Sequence, residues 1–245
     1  MCQSTDNNKV KHNRRAFLAL FLVLFAASPA LAPLGAQDVL RGEVRVEIAP
    51  FPVFSGFVEA RAPLDENTAR RQALHMGALF FAAQIYGWAF HYDIGERARG
   101  IAEEFELRPL GEIEWGDPRL FVTHAHVEGS VFAAWMDYRP SDIQRQRLNV
   151  WSAGNIRPVQ GIGRGQLGGP DESTTWFDIQ ITALEDAARA AVRAMLQANE
   201  RNRPKQATGF ISLQEFPFFW MDSGSLAARA RFRVEVREII PFAVH

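Results

Sequence analysis

The hydrophobic and polar positions of the chain organise around one stretch, Phe57–Gly87. It begins with a short strand-like segment and a proline-marked turn, after which Asp65 or Asn67 provides a helix N-cap. From Met76 the pattern is apolar on nearly all sides of a helix, and Gly87 is a typical C-terminal stop. A helix that is apolar all round is buried on most sides. We therefore expect the rest of the chain to cover it.

Several stretches show the two-residue period of half-buried strands. Residues 44–49 and 230–237 alternate most regularly, and Leu120–Ala133 is interpreted as one long strand. Glu112–Trp115 is a shorter strand candidate, and Phe210–Phe219 is an aromatic-rich strand interrupted by a proline. These strands predict a largely antiparallel sheet.

A second helix is predicted over Thr182–Asn199, with a narrow apolar stripe and an i,i+4 pair, Glu185 with Arg189, on its polar side. Both helices open on a Thr-Ala pair and have strand-like sequence on either side. Two interpretations stay open, a true repeat and a chance likeness between alanine-rich helices. The predicted fold class is α+β, an antiparallel sheet packed against two main helices, with two similar strand–helix–strand lobes as an option.

Glycine is concentrated in Gly161–Gly169, and a proline follows. We expect residues 161–175 to form an exposed mobile loop between an α+β lobe at 37–160 and a helix-plus-strands portion at 176–245. The spacing Gly163-x-Gly165-x-x-Gly168 matches a dinucleotide-binding fingerprint. That motif needs a preceding buried strand and a helix N-terminus at the pyrophosphate, and the sequence indicates neither. No cofactor is predicted.

The N-terminus has the layout of a secretory signal peptide, which we place at residues 1–36. A basic segment, Lys9–Arg15, precedes the apolar run Ala16–Ala27, and small residues follow. The run is shorter than the ~20 residues that span a bilayer as a helix, although an uncleaved anchor stays an alternative. The sequence therefore predicts a periplasmic or secreted protein.

Composition argues against several classes of function. Hydrophobic residues make up 47% and charged residues 22%, and the formal net charge is -1. Without the basic N-terminal segment the chain is more acidic, which argues against a nucleic-acid partner. The single cysteine, Cys2, precedes the apolar run, so the exported chain lacks a thiol nucleophile and a thiolate ligand.

Two groups of residues are candidate sites. His124 and His126 stand at i and i+2 of a predicted strand, so both rings face one side and Glu128 continues that face. They could share a metal ion, or they could be polar residues of a solvent-facing strand. The second group is an aromatic run that could form a patch for a partner or a membrane surface, or could pack in the core. Its members are Phe216, Phe218, Phe219 and Trp220.

A strand-like segment followed by an alanine-spaced helix carries a resemblance to a known family. The matching residues are Val58, Ala60, Ala62 and Pro63, then Ala69, Arg70, Ala73, Leu74, Gly77 or Ala78, Ala82 and Gly87. This stretch resembles the N-terminal domain of flagellar assembly protein T and related LPP-type lipoproteins. The resemblance implies a small α+β domain without catalytic residues that serves envelope assembly or flagellar support. The chain lacks those lipoproteins' lipidation cysteine.

The leading hypothesis is an exported, non-enzymatic periplasmic protein that acts in cell-envelope or flagellar assembly through protein–protein contact. Peripheral membrane contact is a further option. The alternative is a periplasmic ligand- or metal-binding protein that uses the face of His124 and His126.

Overall fold

Two antiparallel sheets and three helices make up the part of the chain that the structure describes. The structure is a computed structural model and describes residues 39–49, 63–95, 100–152, 156–167, 175–199 and 204–241. The described residues belong to one compact unit. The elements are β1 (Leu40–Glu47), α1 (Glu66–Ile85), β2 (Trp88–Asp93), β3 (Glu104–Pro109), β4 (Leu120–Glu128), β5 (Val131–Tyr138), α2 (Asp142–Trp151), β6 (Arg157–Gln166), α3 (Trp176–Asn199), β7 (Pro204–Leu213), β8 (Phe218–Asp222) and β9 (Ser225–Pro241).

The strands form a three-stranded sheet in the order β1-β5-β4 and a six-stranded sheet in the order β3-β2-β7-β9-β6, with β8 also paired to β9. Every pairing is antiparallel. The predicted α+β class, with antiparallel sheet and helices packed together, is confirmed. Because β2 pairs with β7, residues on both sides of the predicted boundary at 161–175 share one sheet.

Helix α1 forms where the sequence pattern places it. The Asp65 side chain accepts a hydrogen bond from the Thr68 backbone N–H at 3.0 Å, so Asp65 is the N-cap. The helix ends at Ile85, and Gly87 adopts a φ of +70°, which favours glycine. The side chains of Phe80, Phe81 and Met76, together with most of the apolar face, are buried in the main core.

The glycine-rich stretch is a strand where it is described, so the loop prediction is wrong for residues 161–166. Gly161, Gly163 and Gly165 alternate along β6 and face α3. A Cβ added at Gly161 would lie 1.9 Å from the Ala187 carbonyl oxygen, and one at Gly163 would lie 2.1 Å from the Ala187 nitrogen. The glycines therefore let the alanine-rich side of α3 approach the strand backbone.

Two other strand predictions are wrong. The stretch Leu120–Ala133 is a hairpin, because the chain turns at Gly129, whose φ is +61°, and β5 returns beside β4. Glu112–Trp115 lies outside the strands, and β3 at Glu104–Pro109 occupies the sheet edge instead.

The boundaries of three elements also differ from the expectation. Helix α3 begins at Trp176 rather than Thr182, and the aromatic-rich stretch divides into β7, which ends at Leu213, and β8, which starts at Phe218. Arg189 pairs with Asp186 rather than Glu185.

Parts of the expected organisation lie outside the described residues, namely the signal segment 1–36 and the strand predicted at residues 57–60. Among the described helices, none combines the length and apolar character needed to cross a membrane.

Candidate functional site

The structure brings His124 and His126 together on strand β4. Their ring centroids lie 5.3 Å apart on the exposed side of β4. A β-bulge between Val122 and His124 turns Val122 towards the buried side, where it pairs with Met136. Within the described residues no group of three or more His, Cys, Asp or Glu could hold a metal ion.

Glu128, the expected third ligand, lies at the solvent-exposed end of β4. Its carboxylate is 3.6 Å from the Arg45 guanidinium. Within the described residues the three predicted ligands therefore do not form a group that could hold a metal ion.

The aromatic run does not form one patch, because Phe216, which precedes β8, and Phe219 pack against the core, whereas Phe218 and Trp220 lie on the other side of β8. Phe216 packs into the core, with its ring 4.7 Å from that of Phe81, and Phe219 stacks 6.3 Å from Phe80. Phe218 is 53% exposed, and its ring stacks 5.9 Å from that of Trp220. Phe216 and Phe219 thus pack against the core, whereas Phe218 is exposed and Trp220 is partly buried beside it.

Phe218 and Trp220 belong to a larger surface, the side of the six-stranded sheet opposite α1 and α3. We call it the outer sheet face. Helix α3 packs on β6 and β9 from the other side, where the β6 glycines lie, and α1 contacts β7. On the outer sheet face the side chains of Gln160, Ile162 and Arg229 are exposed to solvent. The surface is therefore open.

The outer sheet face carries opposite charges at its two ends. The basic half lies on β6 and the first part of β9 and contains Arg164, Arg229, Arg231 and Arg233. The acidic half lies on β2, β3 and the last part of β9 and contains Asp93, Glu104, Glu106, Glu235 and Glu238, with Arg108 and Arg237.

Internal ion pairs compensate only part of the basic half. Arg164 lies 2.7 Å from Asp222, and Arg231 lies 3.6 Å from Glu215 at the edge of the sheet. Arg229 instead lies over the Phe218 ring, 5.4 Å from its centroid. A guanidinium held on an exposed aromatic ring keeps its N–H donors available to a partner.

Where the two halves meet, one arginine of the outer sheet face is half-buried and a serine beside it is fully buried. Arg233 is half-buried, and this burial lowers the pKa of its guanidinium. Its cross-strand neighbour Ser212 is fully buried, and the Ser212 hydroxyl oxygen has no hydrogen-bond partner. Partial burial of the Arg233 charge costs free energy, and an approaching carboxylate would offset that cost.

A shallow groove of about 550 Å³ runs across the acidic half. Its walls include Glu104, Glu106 and His91 on one side and Phe210 with Arg237 on the other. The Arg237 guanidinium lies 5.4 Å above the Phe210 ring. The groove therefore joins carboxylates to an aromatic surface.

Two polar clusters elsewhere are structural. Tyr138 is buried, and its hydroxyl lies 3.2 Å from an Asp117 carboxylate oxygen and 2.9 Å from the Gln144 amide nitrogen. Burial raises the pKa of Tyr138 to about 12. The second cluster joins Tyr92 to Glu103 at 2.5 Å and to Arg193 at 3.1 Å. Because these side chains satisfy one another, they tie loops to the core.

A smaller apolar cavity of about 190 Å³ lies between α1, α3 and the β2–β3 edge. Leu79, Trp88 and Leu184 line it, and Glu185 stands at its rim. The apolar surroundings raise the pKa of the Glu185 carboxyl. It is smaller than a typical ligand pocket of ~300–1,000 Å³.

Comparison with known proteins places the chain in a family. A model of a family of uncharacterised proteins matches residues 28–242. The chain belongs to this family. An uncharacterised protein from Treponema pallidum (strain Nichols) is 25% identical over 174 residues, which cover 69% of each chain. No solved structure matches. The family assignment thus covers all the elements described above but brings no activity with it.

The outer sheet face is a feature that the sequence pattern alone does not predict. The arginines of β9 alternate with apolar residues, and that signal identified a strand with a charged side. It could not reveal the acidic half, because β3 and β9 are more than a hundred residues apart in sequence and join one sheet only through β2 and β7.

Proposed function

We propose that this protein is an exported, non-enzymatic component of the bacterial cell envelope that acts through protein–protein contact at the outer sheet face. The observation that carries the proposal is the outer sheet face. It is exposed to solvent, has a basic and an acidic half, and includes aromatic side chains. Export rests on the signal-peptide layout of residues 1–36.

The composition of the outer sheet face supports a contact role. Arginine and aromatic side chains are enriched among residues that dominate protein interfaces. Phe218, Trp220 and Arg229 stand together at one end, and Ile162, their neighbour across β9, is 46% exposed. Exposed apolar side chains in such surroundings mark interaction sites.

Site-specific photo-cross-linking in intact cells tests this function. A photoreactive amino acid replaces Ile162 on the outer sheet face, and the matched control replaces Ile143 on α2, which is 71% exposed. We expect a discrete cross-linked adduct in the envelope fraction from position 162 and none from position 143. Equal capture at both positions, or none at 162, would contradict the proposal.

Export is tested separately by the location of the tagged protein. We expect the full-length chain to be processed and recovered with the periplasmic or envelope fraction. Recovery of unprocessed protein with the cytoplasmic fraction would contradict that part of the proposal.

A further inference from the structure

We infer that the partner on the outer sheet face is a second copy of this chain, packed face to face about a two-fold axis. This inference rests on the proposed function, because it assigns an occupant to the same surface. The first argument is charge. The basic half has four arginines and two edge carboxylates, whereas the acidic half has five carboxylates and two arginines.

A two-fold axis turns this asymmetry into complementarity. In an isologous dimer each residue contacts the partner residue related by the axis, so two identical surfaces must match each other. If the axis passes where the halves meet, near Ser212 and Phe210, each basic half covers the acidic half of the other copy. Both contacts then form at once, and the assembly closes as a dimer.

Shape agrees with this arrangement. The acidic half has a groove of about 550 Å³ lined by Glu104, Glu106 and Phe210. The basic half presents Phe218 and Arg229 as exposed side chains. The Phe218 ring, with the Arg229 guanidinium stacked on it, is complementary to a groove that has both carboxylates and an aromatic surface.

The area is sufficient for a stable dimer. Residues in a sheet occupy ~3.4 Å along a strand and ~4.8 Å between strands. For strands as long as these six, the face is on the order of 900 Å². A standard interface covers about 800 Å² on each partner, so the whole face is needed.

The Arg233 side chain near the axis gives a further reason, because its guanidinium is only half-buried. A second copy would bring the carboxylates of its acidic half towards Arg233. A hydrogen bond to a charged guanidinium is stronger than one between neutral groups.

Charge reversal on the two halves is the test. Arg229→Glu with Arg231→Glu gives the basic half a net negative charge, so both halves are then net acidic. Glu104→Arg with Glu106→Arg gives the acidic half a net positive charge, so both halves are then net basic. All four side chains are exposed, so folding should survive, as circular dichroism and thermal melting will check. A matched control reverses Arg70 and Arg71, two exposed arginines at the start of α1.

Analytical ultracentrifugation of the protein purified from the exported fraction measures the monomer–dimer equilibrium. We expect a wild-type dimer that weakens with added salt, because screening reduces contacts between exposed charges. Each double variant should raise the dimer dissociation constant at least about tenfold, and the control should not. An equimolar mixture of the two variants should restore a dimer, since an acidic face then meets a basic one.

A monomeric wild type at all accessible concentrations would overturn the inference, as would variants that dimerise like wild type or a mixture that stays monomeric. These results are separable from failure of the proposed function. If the chain is monomeric but position 162 captures a different envelope protein, only self-association is wrong. If the reversals break a dimer but no contact forms at position 162 in cells, the dimer stands and the envelope role is wrong.

Discussion

Helices α1 and α3 are both buried against sheet, but they achieve close packing in opposite ways. Helix α1 uses large side chains, and Phe81 lies 5.6 Å from Tyr138 and 4.7 Å from Phe216, measured between ring centroids. Helix α3 places the backbone around Ala187 directly on the glycines of β6. The packing of α1 depends on large side chains that fill the core. The packing of α3 depends on glycines, which leave no side chain between the helix and the strand. The two interfaces should therefore respond to opposite kinds of substitution.

Removing volume beneath α1 should produce the largest effect. Phe81→Ala empties a fully buried site, and we expect a loss of about 3–5 kcal/mol in the free energy of unfolding, because the removed ring leaves a cavity. Denaturant unfolding followed by circular dichroism measures it. The control, Ile143→Ala at a position that is 71% exposed, should change stability by less than about 1 kcal/mol. A similar loss in both variants would show that α1 does not rely on its aromatic packing.

Adding a single methyl group beneath α3 should be nearly as harmful. In Gly163→Ala the new Cβ would lie 2.1 Å from the Ala187 nitrogen, and helix backbone cannot move aside as a side chain can. We expect a loss of about 3 kcal/mol, at the upper end of the usual cost of overpacking. Thermal unfolding of the variant gives the value.

Gly77→Ala in α1 is the matched control for that change. Its Cβ would lie 2.4 Å from the Met136 sulfur, which is the far part of a flexible side chain. Alanine also gains about 1 kcal/mol of helix propensity over glycine. We therefore expect Gly77→Ala to stay within about 1 kcal/mol of wild type. Equal losses at positions 77 and 163 would remove the distinction between the two interfaces.

The same contrast explains what the sequence could predict. Helix α1 and strands β1 and β9 have strong local signals, a cap at Asp65 and regular alternation, and local signals are sufficient for such elements. The glycines of β6 provide no apolar pattern, so they resembled a loop. Their role depends on Ala187, which the chain brings against them only when α3 folds onto the sheet.

The candidate site was harder to predict for a related reason. Strand-forming residues lie on both sides of Gly129, so the local pattern predicts one strand over Leu120–Ala133 where the structure has a hairpin, and His124 and His126 lie on its exposed side. The outer sheet face combines strands from distant parts of the sequence. Pairings between distant strands depend on the tertiary fold, and no periodicity in a single segment encodes them.

Two carboxylates also differ in their burial, and replacing the more buried one gives the smallest predicted effect. Beside α1, Asp117 is almost buried and accepts hydrogen bonds from Arg119 at 2.6 Å and Tyr138 at 3.2 Å. On the side of the sheet opposite α3, Asp222 pairs with Arg164 at the surface. Hydrogen bonds from Arg119 hold the pKa of Asp117 below its usual range. We expect Asp117→Asn to cost about 1–2 kcal/mol at pH 7, because a charged hydrogen-bonded group is lost.

The pH dependence of unfolding separates this contribution from general destabilisation. Since the pKa of Asp117 is lower in the folded state, its stabilisation is complete above the ordinary aspartate pKa of about 3.9 and is lost as the pH falls towards the folded value. Asp117→Asn should therefore approach wild type in stability below about pH 4 and differ most near neutrality. The surface control, Asp222→Asn, should leave the unfolding curve unchanged at neutral pH, since solvent and salt screen that pair. A constant difference between Asp117→Asn and wild type at every pH would mean that the carboxylate charge does not stabilise the cluster and that only its shape does.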